Sequence, residues 1–287
     1  MRIIVPIKQV PETSNVKMDP ETGTMIRTGV EAIINPLDLY AIEAALRLRT
    51  LHAARTVRSG QQHPECTESV PTQEQGEITV ISMGPPPAMK AIKEAIGMGC
   101  DGGVLLSDRR FSGADTWATA YTLAQAIRKL GGADLVICGE RATDGDTGQV
   151  GPGIAAFLDW PLATYTSHIE LRDGGLRVER LVEGGKEILW SPLPLVLTVV
   201  KEIAHPRLPT LGGILRSKQV EVPVWGPEQI DANPEWIGLN GSPTRVVKIS
   251  KPKLTRKGEV VRIKDPADTG KAIDRLVQLL RERQLIS

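Results

Sequence analysis

The sequence predicts an α/β protein: a parallel sheet with helices on both faces, antiparallel strands added at one edge, and an extended C-terminal arm. Three observations carry that reading. Up to Pro161, short continuous apolar runs alternate with stretches of helical periodicity, the pattern of strands buried on both faces. Beyond Pro161, strand-like segments are punctuated by Asp-Gly-Gly and Gly-Gly turns. From about Lys201, proline-interrupted segments replace the alternation.

The elements follow in order. RIIVPI at 2–7 is the first strand, and a helix runs from Pro36 to about Thr50. In NPLDLYAIEAALRL, Asn35 suits an N-cap, Pro36 the first helical position and Asp38 the first turn. Leu39, Ile42, Leu46 and Arg49 share one face, and Ala41, Ala44 and Ala45 permit close approach to a sheet. Residues 51–77 read as a polar surface insertion without sustained period. Then come a strand at 78–82, a helix at about 87–98, a strand at 103–106 and a helix at about 115–130, stopped by Gly131 and Gly132. A strand at 134–138 and a helix at about 147–158 complete a βαβαβαβα series.

ATYTSHIELR, LRVERLV, KEILW and PLVLTVV follow as antiparallel additions to the sheet edge. The chain therefore divides into a domain at 1–200 and an arm at 201–287 that ends in a helix, AIDRLVQLLRERQ. Such an arm cannot bury Trp225, Trp236, Val246, Val247 and Leu254 by itself, which calls for a partner surface. Positions 245–264 carry eight basic residues against Glu259 alone, a solvated face or subunit contact in a chain whose net charge is only +1.

Composition narrows the function. That near-neutral charge does not point to a nucleic-acid surface, and 3% aromatic residues leave few stacking platforms. Cys66, Cys100 and Cys138 are too far apart for a CxxC site, and His52, His63, His168 and His205 lack metal-ligand spacing. No GxSxG elbow supports a hydrolase. There is no apolar run long enough to span a bilayer, and MRIIVPIKQV opens directly into a strand, so a cytoplasmic protein is expected.

Nucleotide signatures of the GxxxxGK[ST] and GxGxxG kinds are absent. Three segments nevertheless fall beyond the carboxyl ends of predicted parallel strands, where open sheets bind ligands: PIKQVP, SMGPPP and ERATDGDTGQVGP. In the third, backbone N–H groups of residues 145–151 can wrap a pyrophosphate, with Thr147 and Gln149 as neutral donors. Asp144 and Asp146 suit caps on the loop's own N–H groups, or a ribose hydroxyl. A structural turn with an Asp cap explains the loop equally well.

With these pieces in order, the chain resembles the beta subunit of electron-transfer flavoproteins, most closely the electron-bifurcating type. The resemblance rests on IVPIKQVP, INPLDLYAIEAALRL, ISMGP, DGDTGQVGPGIAAFLDWP and HPRLPTLGGILRSKQVEV, and covers nearly all but the insertion. It implies a Rossmann-like domain in a heterodimer whose alpha subunit is embraced by the C-terminal arm. It also implies a nucleotide pocket of Pro6, Ile7 and Lys8; Asn35, Pro36 and Asp38; Met83 and Gly84; and Asp144, Gly145, Asp146, Thr147, Gly148, Gln149, Val150, Gly151, Pro152 and Gly153. No catalytic residue and no metal are implied.

Housekeeping members place AMP in that pocket as a structural ligand. Bifurcating members hold a second FAD, accept hydride from NADH, and send one electron to a low-potential acceptor such as a ferredoxin or iron–sulfur subunit. DGDTGQVGP, with glycines at 145 and 148, is similar to the second kind. In PRLPTLGGIL, Leu211 takes the place of the leucine by which the family docks onto acyl-CoA dehydrogenases or quinone oxidoreductases, the latter implying peripheral membrane association. A conventional carrier holding AMP and a non-redox adenine-nucleotide module are the rival readings.

Overall fold

In the computed structural model, residues 1–12, 17–18, 25–26, 32–58, 76–247, 260–263 and 265–286 are described. Chain contacts divide the molecule into Met1–Val247 and Lys248–Ser287. The first unit is built on one sheet; among the described residues of the second, the helix α6 (Thr269–Glu282) follows a 3-10 turn at Pro266–Asp268. Ile273 and Leu276 are exposed on α6.

The sheet's centre is β1 (Arg2–Pro6), flanked by β6 (Glu77–Met83) and β8 (Leu135–Gly139), both parallel to it. Beyond β6 lie β7 (Gly102–Leu106) and, at the edge, β13 (Val224–Trp225), again parallel. Beyond β8 lie β12 (Leu195–Val199) and β9 (Leu162–Arg172), also parallel, then β10 (Gly175–Val182) and β11 (Gly185–Pro192), each antiparallel to its neighbour. The expected βαβαβαβα series and parallel sheet are therefore present. The expectation of antiparallel edge strands is corrected twice: ATYTSHIELR pairs parallel with β12 on one side and antiparallel with β10 on the other, and PLVLTVV is not an edge strand. All five residues of β12 are buried, and it lies parallel between β8 and β9. A run with no polar alternation must be covered on both faces, and only an interior position provides that.

Helices α1 (Pro36–Arg58) and α2 (Met89–Met98) cover one face, where Ile42, Leu46, Ile92 and Ile96 pack with Ile3, Val5, Ile78 and Val80. Helices α3 (Thr116–Lys129) and α4 (Val150–Leu158) cover the other, where Ile127 and Ile154 pack with Ile4, Ile81 and Val136. Asp115 caps α3 by accepting the Ala118 N–H at 3.0 Å. The helix α1 runs eight residues past Thr50, into the stretch expected to be an insertion. TLHAARTVR contains good helix formers, and the first breaker is Gly60. Residues 59–75 of that insertion lie outside the described residues.

Two short ribbons were not foreseen: β2 (Gln9–Pro11) with β5 (Ala32–Ile34), and β3 (Lys17–Met18) with β4 (Met25–Ile26). Residues 201–247 also bury more than the arm reading allowed. Ile230 and Ile237 are buried and Trp225 is half-buried on the α3/α4 side of the core, whereas Trp236 stays 42% exposed, its ring centroid 5.4 and 5.2 Å from those of Trp117 and Tyr121. Val246 and Val247 remain exposed, and Leu254 lies outside the described residues.

Candidate functional site

From β1 the chain steps through β6 to β7 on one side, then returns to place β8 on the other. The crevice beyond the carboxyl ends of β1 and β8 is thus the topological switch point, where open α/β sheets bind ligands. Three segments meet there. Lys8, just past β1, donates its backbone N–H to Asp38 Oδ2 at 2.8 Å and accepts the Asn35 N–H at 2.8 Å. Its ammonium crosses the crevice to Asp144 Oδ1 at 2.7 Å. Asn35 reaches the same loop: Nδ2 donates to the Arg141 carbonyl at 2.9 Å, and Oδ1 accepts the Thr143 N–H at 3.1 Å. The side-chain N-cap expected of Asn35 is therefore replaced by a clasp between the start of α1 and the loop.

The loop at 141–149 turns on itself through the Asp146 N–H, which donates to the Ala142 carbonyl at 2.8 Å. Asp146 and Gly148 have φ of +53° and +64°. Gly148 suits that left-handed geometry, and aspartate tolerates it better than most residues. Arg141 Nε lies 3.1 Å from Asp146 Oδ1 and 3.3 Å from Glu140 Oε1. Asp144 and Asp146 thus each have a cation beside them.

Gly145, Asp146, Thr147 and Gln149 are all exposed on the loop, as are Arg141 and Thr143. A Cβ placed on Gly145 would meet no heavy atom within 4 Å, so the loop presents bare backbone to open space. Gln149 Oε1 accepts the Thr116 hydroxyl at 3.1 Å, and no side chain caps α4. The expected helix start at about 147 moves to Val150. Gly151 and Gly153 serve packing: a Cβ on the first would overlap the Thr198 methyl, and on the second Ala120 Cβ. The Gly153 N–H is already bonded to the Gln149 carbonyl at 2.9 Å.

The remaining expected residues are placed as follows. Pro6 and Ile7 are buried at the end of β1, with the Ile7 N–H on the Ile81 carbonyl at 2.9 Å. Pro36 is exposed at the start of α1, while Val150 and Pro152 are half-buried in the first turn of α4. Met83 and Gly84 lie at the end of β6, one strand further along the edge, with the Gly84 N–H on the Leu106 carbonyl at 3.0 Å. Arg141 and Tyr165 border the loop without having been foreseen. Arg141 stood in the quoted motif as the only cation there, whereas Tyr165 carried no local signal.

Asp38 is 6% exposed, and burial pushes its carboxyl up to about 7, against the opposing effect of the Lys8 N–H. It braces the crevice from below rather than facing out of it. Burial also pushes up the thiols of Cys100, to about 12, and Cys138. Neither is a thiolate near neutral pH.

Leu211, expected in a loop, is the first residue of the helix α5 (Leu211–Gln219), capped by Thr210 Oγ1 accepting the Gly213 N–H at 3.0 Å. Leu208 and Leu211 are 85% and 76% exposed. The segment is held from behind. Arg207 Nε and Nη2 donate to Glu43 at 2.8 and 3.0 Å, and Arg216 Nη2 donates to the Ile96 carbonyl at 3.2 Å and to that of Cys100.

A parallel sheet covered on both faces, with loops clasped over its switch point, defines a Rossmann-like α/β protein. Residues 66–229 match the electron transfer flavoprotein domain. Over the whole of both chains the sequence is 41% identical to the Caffeyl-CoA reductase-Etf complex subunit CarD of Acetobacterium woodii. It is 42% identical to the electron transfer flavoprotein subunit beta of Thermoanaerobacterium thermosaccharolyticum, again over both full lengths. Protein FixA of Azorhizobium caulinodans is 39% identical over 99% of this chain and 95% of its own. The chain belongs to the electron transfer flavoprotein family and is similar along its whole length to beta subunits. Among the described residues, no helix is long and apolar enough to cross a membrane.

Proposed function

We propose that this chain is the beta subunit of a heterodimeric electron transfer flavoprotein, that it binds FAD at the switch point, and that with its alpha subunit it takes electrons from NADH for flavin-based bifurcation. The observation that carries the reading is the clasp of Lys8, Asn35 and Asp144 over the crevice, beside a loop whose backbone at Gly145 is bare and open. Exposed N–H groups and the uncapped start of α4 suit the pyrophosphate of a dinucleotide, and Thr147 adds a hydroxyl donor. The names of relatives, a subunit of a reductase-Etf complex among them, favour an alpha partner and a redox task.

FAD, when bound, supplies the hydride acceptance and single-electron release that no side chain of this chain offers. The chain's own work is binding and orientation. Asn35 and Lys8 fix the loop, and their ties to residues 141, 143 and 144 limit its freedom before any ligand arrives. Leu208 and Leu211, held by Arg207 and Arg216, are the apolar anchors for an acyl-CoA dehydrogenase-like or quinone oxidoreductase-like acceptor.

The test is to purify the chain with its alpha partner, release bound nucleotides with acid, and count them. Two FAD per heterodimer and no AMP is the expected result. One FAD with one AMP would identify a conventional carrier, and a complex without flavin would indicate a non-redox nucleotide module.

A further inference from the structure

Tyr165 adopts a backbone conformation that bulky L-residues avoid, with φ of +53°. Its neighbours impose it. The Tyr165 N–H donates to Thr198 Oγ1 at 3.0 Å, and the Thr166 carbonyl accepts the Val200 N–H at 3.1 Å. The pairing of β9 with β12 shifts register here, between Leu197 and Val199. Such an irregularity re-aims a side chain, and conformations of this kind cost free energy that surrounding structure must offset.

The re-aimed side chain points at the candidate site. Val199 pairs with Thr166 on one side and with Gly139 on the other, so Tyr165 stands at the strand ends from which the 141–149 loop departs. Its phenolic oxygen lies 3.8 Å from the position a Cβ would take on Gly148. The residue is 46% exposed, and its hydroxyl has no hydrogen-bond partner among the described residues. A tyrosine kept for packing would be buried with its hydroxyl bonded. Thr198 couples the parts: its hydroxyl holds the Tyr165 N–H, and its methyl occupies the space left by Gly151 in the first turn of α4.

We infer that Tyr165 is a binding residue of the switch-point site, its hydroxyl donating a hydrogen bond to a phosphate oxygen of the nucleotide held by the loop. The inference rests on the nucleotide reading given above and adds a donor from the far wall of the crevice, opposite Lys8. The strained backbone is the means of reaching it, because a regular β9 would send residues 164 and 165 to the two faces of the sheet.

The experiment uses the heterodimer with its alpha subunit as wild type, Tyr165→Phe and Tyr165→Asn. Each is stripped of nucleotide, melted, and titrated with FAD and, separately, AMP. Tyr165→Phe should bind the preferred nucleotide about tenfold more weakly, the usual effect of losing one bond to a charged group, with its melting temperature unchanged. Tyr165→Asn tolerates the positive φ, so it should melt no lower than wild type while binding at least as weakly as the Phe variant. Wild-type affinity in Tyr165→Phe overturns this inference alone. A wild-type complex that takes up a single FAD, with neither a second FAD nor AMP, overturns it together with the reading on which it rests.

Discussion

Asp38 lies beneath the crevice, and replacing it with Asn should remove a pH dependence of stability. Its carboxyl is raised from 3.8 to about 7, chiefly by burial. A Cβ on Gly139 would overlap Asp38 Oδ1, so the carboxyl is packed directly under the end of β8 and water cannot solvate the charge. The folded value lies above the unfolded one, so the protonated form is the one the fold favours. Its contribution is fully present below the unfolded value and is lost as pH rises through about 7. The interval between the two values corresponds to about 4 kcal/mol over the full range, and roughly 2–3 kcal/mol of that falls away between about pH 5 and pH 8. Asn resembles the protonated acid in shape and still offers an oxygen to the Lys8 N–H, so Asp38→Asn should lack this decline. Urea unfolding of both proteins at matched pH isolates the effect, because Lys8 and Asp144, the charged groups nearest Asp38, are common to both. Parallel stability curves for the two proteins across that range would refute the reasoning.

Gly145→Asp meets no steric obstacle, so stability should change by less than about 0.5 kcal/mol while a third loop carboxylate lowers FAD content; unaltered flavin would show that the loop is not the phosphate cradle. Leu211→Ala should slow electron delivery to the acceptor and leave flavin reduction by NADH intact, since the side chain is mostly in solvent; equal loss of both rates would reveal a folding role. Glu43→Gln weakens the bidentate clamp on Arg207 and should cost about 2 kcal/mol in chemical denaturation while also slowing delivery to the acceptor; a loss below about 0.5 kcal/mol would show that Glu43 does not hold the segment.

Much of the fold was legible because continuous apolar runs have one economical arrangement, an interior parallel sheet. The same rule, applied to PLVLTVV, points to the buried position of β12; the preceding Gly-Gly turns drew it into the hairpin reading instead. The length of α1 was missed although no breaker stands before Gly60. In the candidate site, the sequence placed PIKQVP and ERATDGDTGQVGP at strand ends that the fold brings together, whereas SMGPPP ends one strand further along and the division of labour was not legible. Gly145, Gly151 and Gly153 look alike in DGDTGQVGPG, yet one faces open space and two face Thr198 and Ala120. Asn35 reads as a cap because its helix is adjacent in sequence, whereas its partners, Arg141 and Thr143, are over a hundred residues away. Tyr165 depends on a register shift between two strands, which no local pattern encodes.

On the function proposed above, the placement of α5 keeps the partner-docking segment apart from the nucleotide loop. Gly213 packs on the Gly97 carbonyl at the end of α2, and Arg216 reaches the carbonyls just before β7 begins. From there α5 runs back along α2, with Lys93 bonded to the Val220 carbonyl, until β13 pairs with the far end of β7. Leu211 therefore stands at the amino edge of the sheet, and the 141–149 loop at its carboxyl edge. Strands of five to seven residues separate the two by on the order of 20 Å. A side chain at that distance cannot reach the loop, so the proposed function predicts that substitutions at Leu208 and Leu211 leave the clasp of Lys8, Asn35 and Asp144 unchanged. Loss of flavin on substituting Leu211 would contradict that separation more directly than any change in electron-transfer rate.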